Sequence, residues 1–176
     1  MAFTILPYTE VDGIRTASDS DIKKLFARTE KDGLVPVVFY EGTIKNACDF
    51  LAMAKSKATL FYVLIDGTST VGYTWLNRFE NRTARIHFCF FKEYWGKAEC
   101  FAKYVLERFT NMTGKDGAIL FDLLTGFVPE WNTHAIDFAL KCGGHTHGVI
   151  PNAIYNKASG KSENAVFLYY LRREAS

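Results

Sequence analysis

The 176-residue sequence has no long apolar run, no C-x-x-C pair, little proline and almost no charge imbalance. Each absence excludes something. The late apolar run, Ala165 to Leu171, falls far short of the ~18 residues that a membrane-spanning helix needs. With 4 prolines and 13 glycines, collagen-like and low-complexity readings fall. Cys48, Cys89, Cys100 and Cys142 are spaced as reduced thiols of a cytosolic protein rather than as a disulfide framework. Basic and acidic residues number 21 and 19, which makes no general case for a nucleic-acid or membrane partner. The opening MAFTILPYTEVDG lacks a basic stretch followed by a sustained apolar one, so no secretory leader is expected and the expected location is cytoplasmic. What remains is an ordinary globular composition, 48% apolar and 15% aromatic, long enough to bury a core as a single domain over residues 1–176.

The apolar pattern changes period along the chain. Phe3 to Leu6 predicts a short strand. Ser18 and Asp21 have capping-box spacing ahead of Ile22, Leu25 and Phe26, which share a helical face. Thr43 is the expected cap of a second helix with Ile44, Ala47, Cys48 and Leu51 inward. Leu60 to Ile65, the turn signal Asp66-Gly67, Val71 to Leu76, the turn Glu80-Asn81-Arg82, and Arg85 to Phe91 predict a three-strand meander. A helix then carries Phe101, Ala102, Val105 and Phe109 on one face. Ile119 to Leu124 reads as a strand covered on both faces. Asn132 caps a helix through Ala135, Phe138, Ala139 and Cys142, stopped by Gly143-Gly144. Val149 to Tyr155 and Ala165 to Arg172 close the chain as a hairpin. The expected class is α/β (α+β), a mixed central sheet flanked by helices.

Residues 91–101, FKEYWGKAECF, put a glycine-containing turn between a strand and a helix. Free amides and the dipole at a helix start favour a phosphate, and Lys97 adds charge. A plain strand-to-helix turn is the alternative. The segment E-Y-W-G-K-A, Glu93 to Ala98, resembles the Q/R-x-x-G-x-G/A loop of the GNAT superfamily of acyl-CoA-dependent N-acyltransferases, with Gly96 and Ala98 matching and Glu93 departing. Tyr94-Trp95-Gly96-Lys97 is also similar to the loop of the ribosomal-protein N-terminal acetyltransferase subgroup. A-R-I-H-F-C-F-F resembles the strand before that loop. Asn132-x-x-Ala135 followed by a helix and Gly143 resembles the family's second motif, and its surroundings are similar to phage-borne members. The resemblance implies acetyl-CoA as co-substrate and transfer of its acetyl group to a primary amine. It implies that Tyr94, Trp95, Gly96, Lys97 and Ala98 hold the pyrophosphate, that Cys89, Phe90 and Phe91 hold the pantetheine arm, and that Asn132 contributes to the same site. A silent CoA-binding or protein-interaction module on the same fold is the alternative. The implied acceptor is a small molecule or a protein N-terminus, and a homodimer is left open beside a monomer.

Many members of the family carry a glutamate base where this sequence has Arg85, and a tyrosine acid where it has Ala139. Arginine cannot deprotonate an amine. His87 lies two residues further on the same strand face and has the right chemistry for a base near neutrality, so it is the expected catalytic residue, with activity falling as pH drops through its reference pKa of ~6.5. A strand histidine with an ordinary hydrogen bond is the alternative. Cys142, His145, His147 and His134 are zinc-ligand types, but C-x-x-H-x-H fits no common module and no metal is expected. Arg78, Arg82 and Arg85 gather near a hairpin tip, either to receive an acidic substrate or nucleic acid or simply as a solvated face. Trp75, Asn77 and Trp131 are candidates for the acceptor side.

Overall fold

The computed structural model describes residues 3–12 and 14–172. Strand β1 (Phe3–Pro7) leads through a two-stranded ribbon, β2 (Glu10–Val11) and β3 (Ile14–Arg15), to helix α1 (Asp19–Lys31). Ser18 caps α1 as its spacing predicts: its Oγ accepts the Asp21 N–H (3.1 Å), and its hydroxyl donates to the Asp21 carboxylate (2.6 Å). Two differences follow. A four-residue helix α2 (Val35–Val38) carries Pro36 in its first turn, where a missing N–H costs nothing. The next helix, α3 (Ala47–Lys55), begins later than Thr43 because Asn46 is the better cap, its Oδ1 accepting the N–H groups of Cys48 (2.8 Å) and Asp49 (3.0 Å). That start turns Cys48 to solvent and buries Phe50 and Ala54 instead.

The meander forms as β4 (Leu60–Asp66), β5 (Ser69–Glu80) and β6 (Thr83–Phe90), antiparallel throughout. A 3-10 turn, Lys92–Tyr94, feeds α4 (Trp95–Thr110), and the chain continues through β7 (Leu123–Pro129), α5 (Thr133–Lys141), β8 (His145–Asn156) and β9 (Lys161–Leu171). The strand expected at Ile119 begins only at Leu123. Before it, Leu120 N–H donates to Met112 O and Ile119 bridges Thr113, so this apolar run is a folded-back loop rather than a ladder strand. Among the described residues the main sheet has seven strands in the order β1-β4-β5-β6-β7-β9-β8. Only β6 and β7 run parallel, joined by α4 as the crossover that parallel pairing requires.

Alternation along the strands divides the core. One face carries Phe61, Val63, Tyr73, Trp75 and Cys89 against Ile22, Leu25 and Phe26 of α1 and Phe50 of α3. The other carries Tyr62, Leu64, Leu76, Ile86 and Phe90 against Phe101, Val105 and Phe109 of α4 and Ala139 of α5. The first face is a run of aromatic contacts, Phe50–Tyr73 at 5.1 Å, Phe39–Trp75 at 5.8 Å and Tyr73–Trp75 at 6.0 Å. Such pairs add about 0.5–1.5 kcal/mol each beyond their buried area.

Candidate active site

The parallel pair β6–β7 is short. Thr83–Arg85 meet Leu123–Thr125, and there the pairing stops. Past Arg85, β6 stays with β5 as far as Phe90; past Thr125, β7 stays with β9 as far as Pro129. Their facing edges therefore part, at the carboxyl end of a parallel pair where open α/β sheets take ligands. The opening is a cleft of about 770 Å³. Ile86 to Phe90 form one wall and Gly126 to Pro129 the other; Ala135, Phe138 and Ala139 of α5 and Tyr170 of β9 close one side, and Leu34, Val37, Val38 and Tyr40 the other. A smaller hollow of about 400 Å³ beneath α1 touches neither of these unpaired edges.

At one end of the cleft stands the start of α4. No side chain caps it among the described residues; the Tyr94 and Trp95 N–H groups donate to Phe91 O and Lys92 O, so it is the amides of the first turn after Trp95 and the positive dipole end that favour an anion. A Cβ added at Gly96 would meet no atom within 4 Å, so the space above the first turn is open. Trp95 and Ala98 line the cleft, and the Trp95 indole N–H donates to Phe90 O (2.9 Å), which ties the loop to the strand. Lys97 is exposed, with Nζ 3.6 Å from Asp66. Glu93, the departure from the family loop, pairs with Arg28, whose guanidinium also lies 4.1 Å over the Phe91 ring. Phe91 is buried beneath it, and Tyr94 is wedged between the two cores. Cys89 is a buried part of the wall, its thiol pushed up to about 11 by burial. Asn132 lines the far side and caps α5, Oδ1 accepting the Ala135 N–H (3.2 Å). Of the residues singled out in the sequence, His87, Cys89, Phe90, Trp95, Ala98 and Asn132 meet on one cleft, while Phe91, Tyr94, Gly96 and Lys97 stand behind or beside its walls. An uncapped helix start, open space at Gly96 and two unpaired strand edges suit a molecule with a pyrophosphate at one end and amides along its arm.

His87 sits at the other end. Its ring stacks on Trp75, centroids 4.4 Å apart and planes within 1°. Nε2 donates to Asn77 Oδ1 (3.1 Å), which leaves the lone pair on Nδ1. Part of the residue's surface still reaches the cleft, yet protein surrounds the ring; that desolvation, with the charges of Arg85 and then Arg78, lowers its pKa from 6.5 to about 3. Burial and the two arginines favour the neutral ring, and the expected titration near 6.5 moves down to about 3. Sequence reasoning missed two more groups on this cleft. Tyr40 lies beside the acceptor end, its hydroxyl pushed up to about 12 by burial and by Glu41. Tyr170 reaches the wall at Ala139, hydroxyl donating to Ala139 O (3.4 Å), and burial raises its pKa. The alternation Val166, Leu168, Tyr170 shows that Tyr170 points inward, but nothing local shows that this interior opens on a cleft.

The CGGHTH groups do not converge. Cys142 is buried in the α4–α5 core, while His145 and His147 lie exposed on β8 against Tyr169, and among the described residues no three metal-ligating groups come together. No helix among the described residues is long and apolar enough to cross a membrane.

No family model and no curated protein sequence matches the chain. Solved structures do. The chain is similar to spermidine N-acetyltransferase from Vibrio cholerae in complex with CoA and spermine, with a TM-score of 0.71 at 13% identity over 97% of this chain and 95% of that one. It is also similar to the microcin C7 self-immunity acetyltransferase MccE in complex with acetyl-CoA and AMP, with a TM-score of 0.68 at 14% identity over 96% and 92%. A dodecameric form of the Vibrio cholerae enzyme matches with a TM-score of 0.66 at 12% identity over 97% and 94%. At these identities the likeness is one of fold, and it extends over nearly the whole of each chain: this protein has the GNAT fold.

Proposed function

We propose that the protein is an N-acetyltransferase that moves an acetyl group from acetyl-CoA to a primary amine. The observation that carries this reading is the splayed β6–β7 pair opening onto the uncapped start of α4. The acetyl-CoA pyrophosphate is held by the Tyr94–Ala98 loop, through amides that follow Trp95 and over the open space at Gly96, and its arm lies along Cys89, Phe90 and Phe91 with Asn132 opposite. In this reading the Tyr94-Trp95-Gly96-Lys97 loop supports a likeness to the ribosomal-protein N-terminal acetyltransferase subgroup, and the surroundings of Asn132 a likeness to phage-borne members.

The amine nitrogen attacks the thioester carbonyl, a C–N bond forms, the C–S bond breaks, and the thiolate takes up a proton. His87 is the nominated proton acceptor, through Nδ1 directly or through a water. A pKa of about 3 makes it a weak base, so an acceptor that arrives already uncharged is what it can serve. Tyr170, still protonated at high pH, is the nominated proton donor to the thiolate in place of the absent tyrosine at Ala139. Calorimetric titration with acetyl-CoA, together with thiol release from acetyl-CoA across an amine panel, tests this. Binding with turnover is the expected result. Binding without turnover on any amine would favour the silent module, and absence of binding would overturn the reading.

A further inference from the structure

Two guanidinium groups without an ion pair among the described residues, those of Arg85 and Arg78, stand beside the His87 end of the cleft, just outside the residues that line it. Register places Arg85 opposite Asn77, on the strand face that carries His87 two residues later. Its guanidinium carbon lies 4.3 Å over the ring of Phe127, a residue of the opposite wall, so the arginine spans the closed end where β6 and β7 still pair. Its Nε is buried and has no hydrogen-bond partner among the described residues. Arg78 reaches the same region by another device. The β5–β6 register slips between Asn77 and Glu80, and Arg78 takes φ +49°, a left-handed conformation in which arginine is rare. Its charge acts on both Arg85 and His87.

Neither arginine forms an ion pair among the described residues, whereas Arg82, on the same hairpin, is matched by Asp122 at 2.7 Å. Glu41 is close enough to act on Arg85 and Tyr40 but bonds to neither arginine. Arg85 Nε is thus a buried donor without an acceptor among the described residues, and a guanidinium has no lone pair to offer in return. The arrangement repels a polyamine, whose every nitrogen is a cation. It suits a planar or tetrahedral oxyanion, which an arginine fork grips with two parallel bonds.

Resting on the acetyltransferase reading, we propose that the acceptor is an anionic amine, one whose carboxylate or phosphate is bound by Arg85 and Arg78 while its amino group lies at His87. The anion anchors the acceptor at the closed end of the cleft.

The test compares β-alanine, O-phosphoethanolamine, propylamine and 1,3-diaminopropane as acceptors, read as initial rates of thiol release from acetyl-CoA. One or both anionic amines should show a KM at least about 10-fold below that of propylamine, and which of the two is lower identifies carboxylate or phosphate. Arg85→Ala should raise that KM by about 10- to 100-fold, the loss of a charge-assisted hydrogen bond, with kcat and acetyl-CoA affinity changing far less, and Arg85→Lys should recover part of it. If propylamine or 1,3-diaminopropane is the best acceptor, the anion site is wrong while acetyl transfer stands. If acetyl-CoA binds and no amine turns over, calorimetry of β-alanine and inorganic phosphate on the acetyl-CoA-loaded protein decides: heat that Arg85→Lys keeps in part and Arg85→Ala abolishes supports the site, and absence of heat overturns it. Failure to bind acetyl-CoA at all would overturn the acetyltransferase reading itself.

Discussion

At the α4 end of the cleft, the groups that face a ligand are backbone amides and apolar side chains, and the nearby charges are already matched: Glu93 by Arg28, Lys97 by Asp66. At the closed end the proposed ligand-facing groups are two arginines that form no ion pair among the described residues, beside an imidazole whose pKa burial and their charge lower to about 3. The first end therefore depends on the shape of one turn. The second depends on several side chains from separate strands agreeing in position. A backbone site tolerates most substitutions except those that fill or charge the turn, whereas a side-chain site is sensitive to each member.

Three substitutions put that contrast under strain. The largest effect belongs to His87→Ala, expected to lower kcat/KM by about 10²-fold, the bottom of the range for a positioned base, because its basicity is poorly matched to neutral pH. Acetyl-CoA affinity should stay. A ring with a pKa of about 3 remains neutral as pH falls through 6.5, so wild-type kcat/KM should show no histidine break there and only the acceptor's own ionisation should register. A break near 6.5 that disappears in His87→Ala would restore the ordinary titration and undo the claim that burial and Arg85 suppress it.

Gly96→Asp acts at the other end. Its Cβ has room, and an acidic residue in a first helical turn is itself favourable, so the fold should be kept. Acetyl-CoA affinity should fall about 10-fold or more through repulsion of the pyrophosphate, read by calorimetry. Equal affinity in a folded variant would take the loop out of the site. The smallest effect is expected from Arg82→Ala. Arg82 and Asp122 form an exposed pair, which contributes little to stability. Melting temperature and acceptor KM should both match wild type. A KM shift as large as that of Arg85→Ala would mean that the cationic region is diffuse and not a site.

The α4 end was legible in the sequence because it is local: Glu93 to Ala98 are contiguous, and a strand–turn–helix needs only neighbours to form. The cap at Ser18, the turn at Asp66-Gly67 and the Asn132 cap were legible for the same reason. The closed end draws on Tyr40, Arg78, Arg85 and Phe127, and no periodicity joins four such segments. The bulge that re-aims Arg78 carries no glycine, asparagine or aspartate at its left-handed position, so it left no mark in the composition of the turn. Ile119 to Leu124 misled for a related reason. An apolar run predicts burial, and Phe121 is buried, but only the reach of Thr83 decides where the ladder begins.

The chain has three tryptophans, Trp75, Trp95 and Trp131, and all of them border the cleft. Trp75 is buried against His87, Trp95 stands half open to solvent at the start of α4, and Trp131, also half open, borders the cleft between β7 and α5 with its indole N–H donating to Glu163. The intrinsic emission of the protein is thus an optical gauge of this one cavity, with a buried, blue-emitting indole beside His87 and two wetter, red-emitting ones, at the start of α4 and ahead of α5. A ligand beside His87, next to Trp75, and one at the start of α4, next to Trp95, should leave different spectral signatures in the same unlabelled sample.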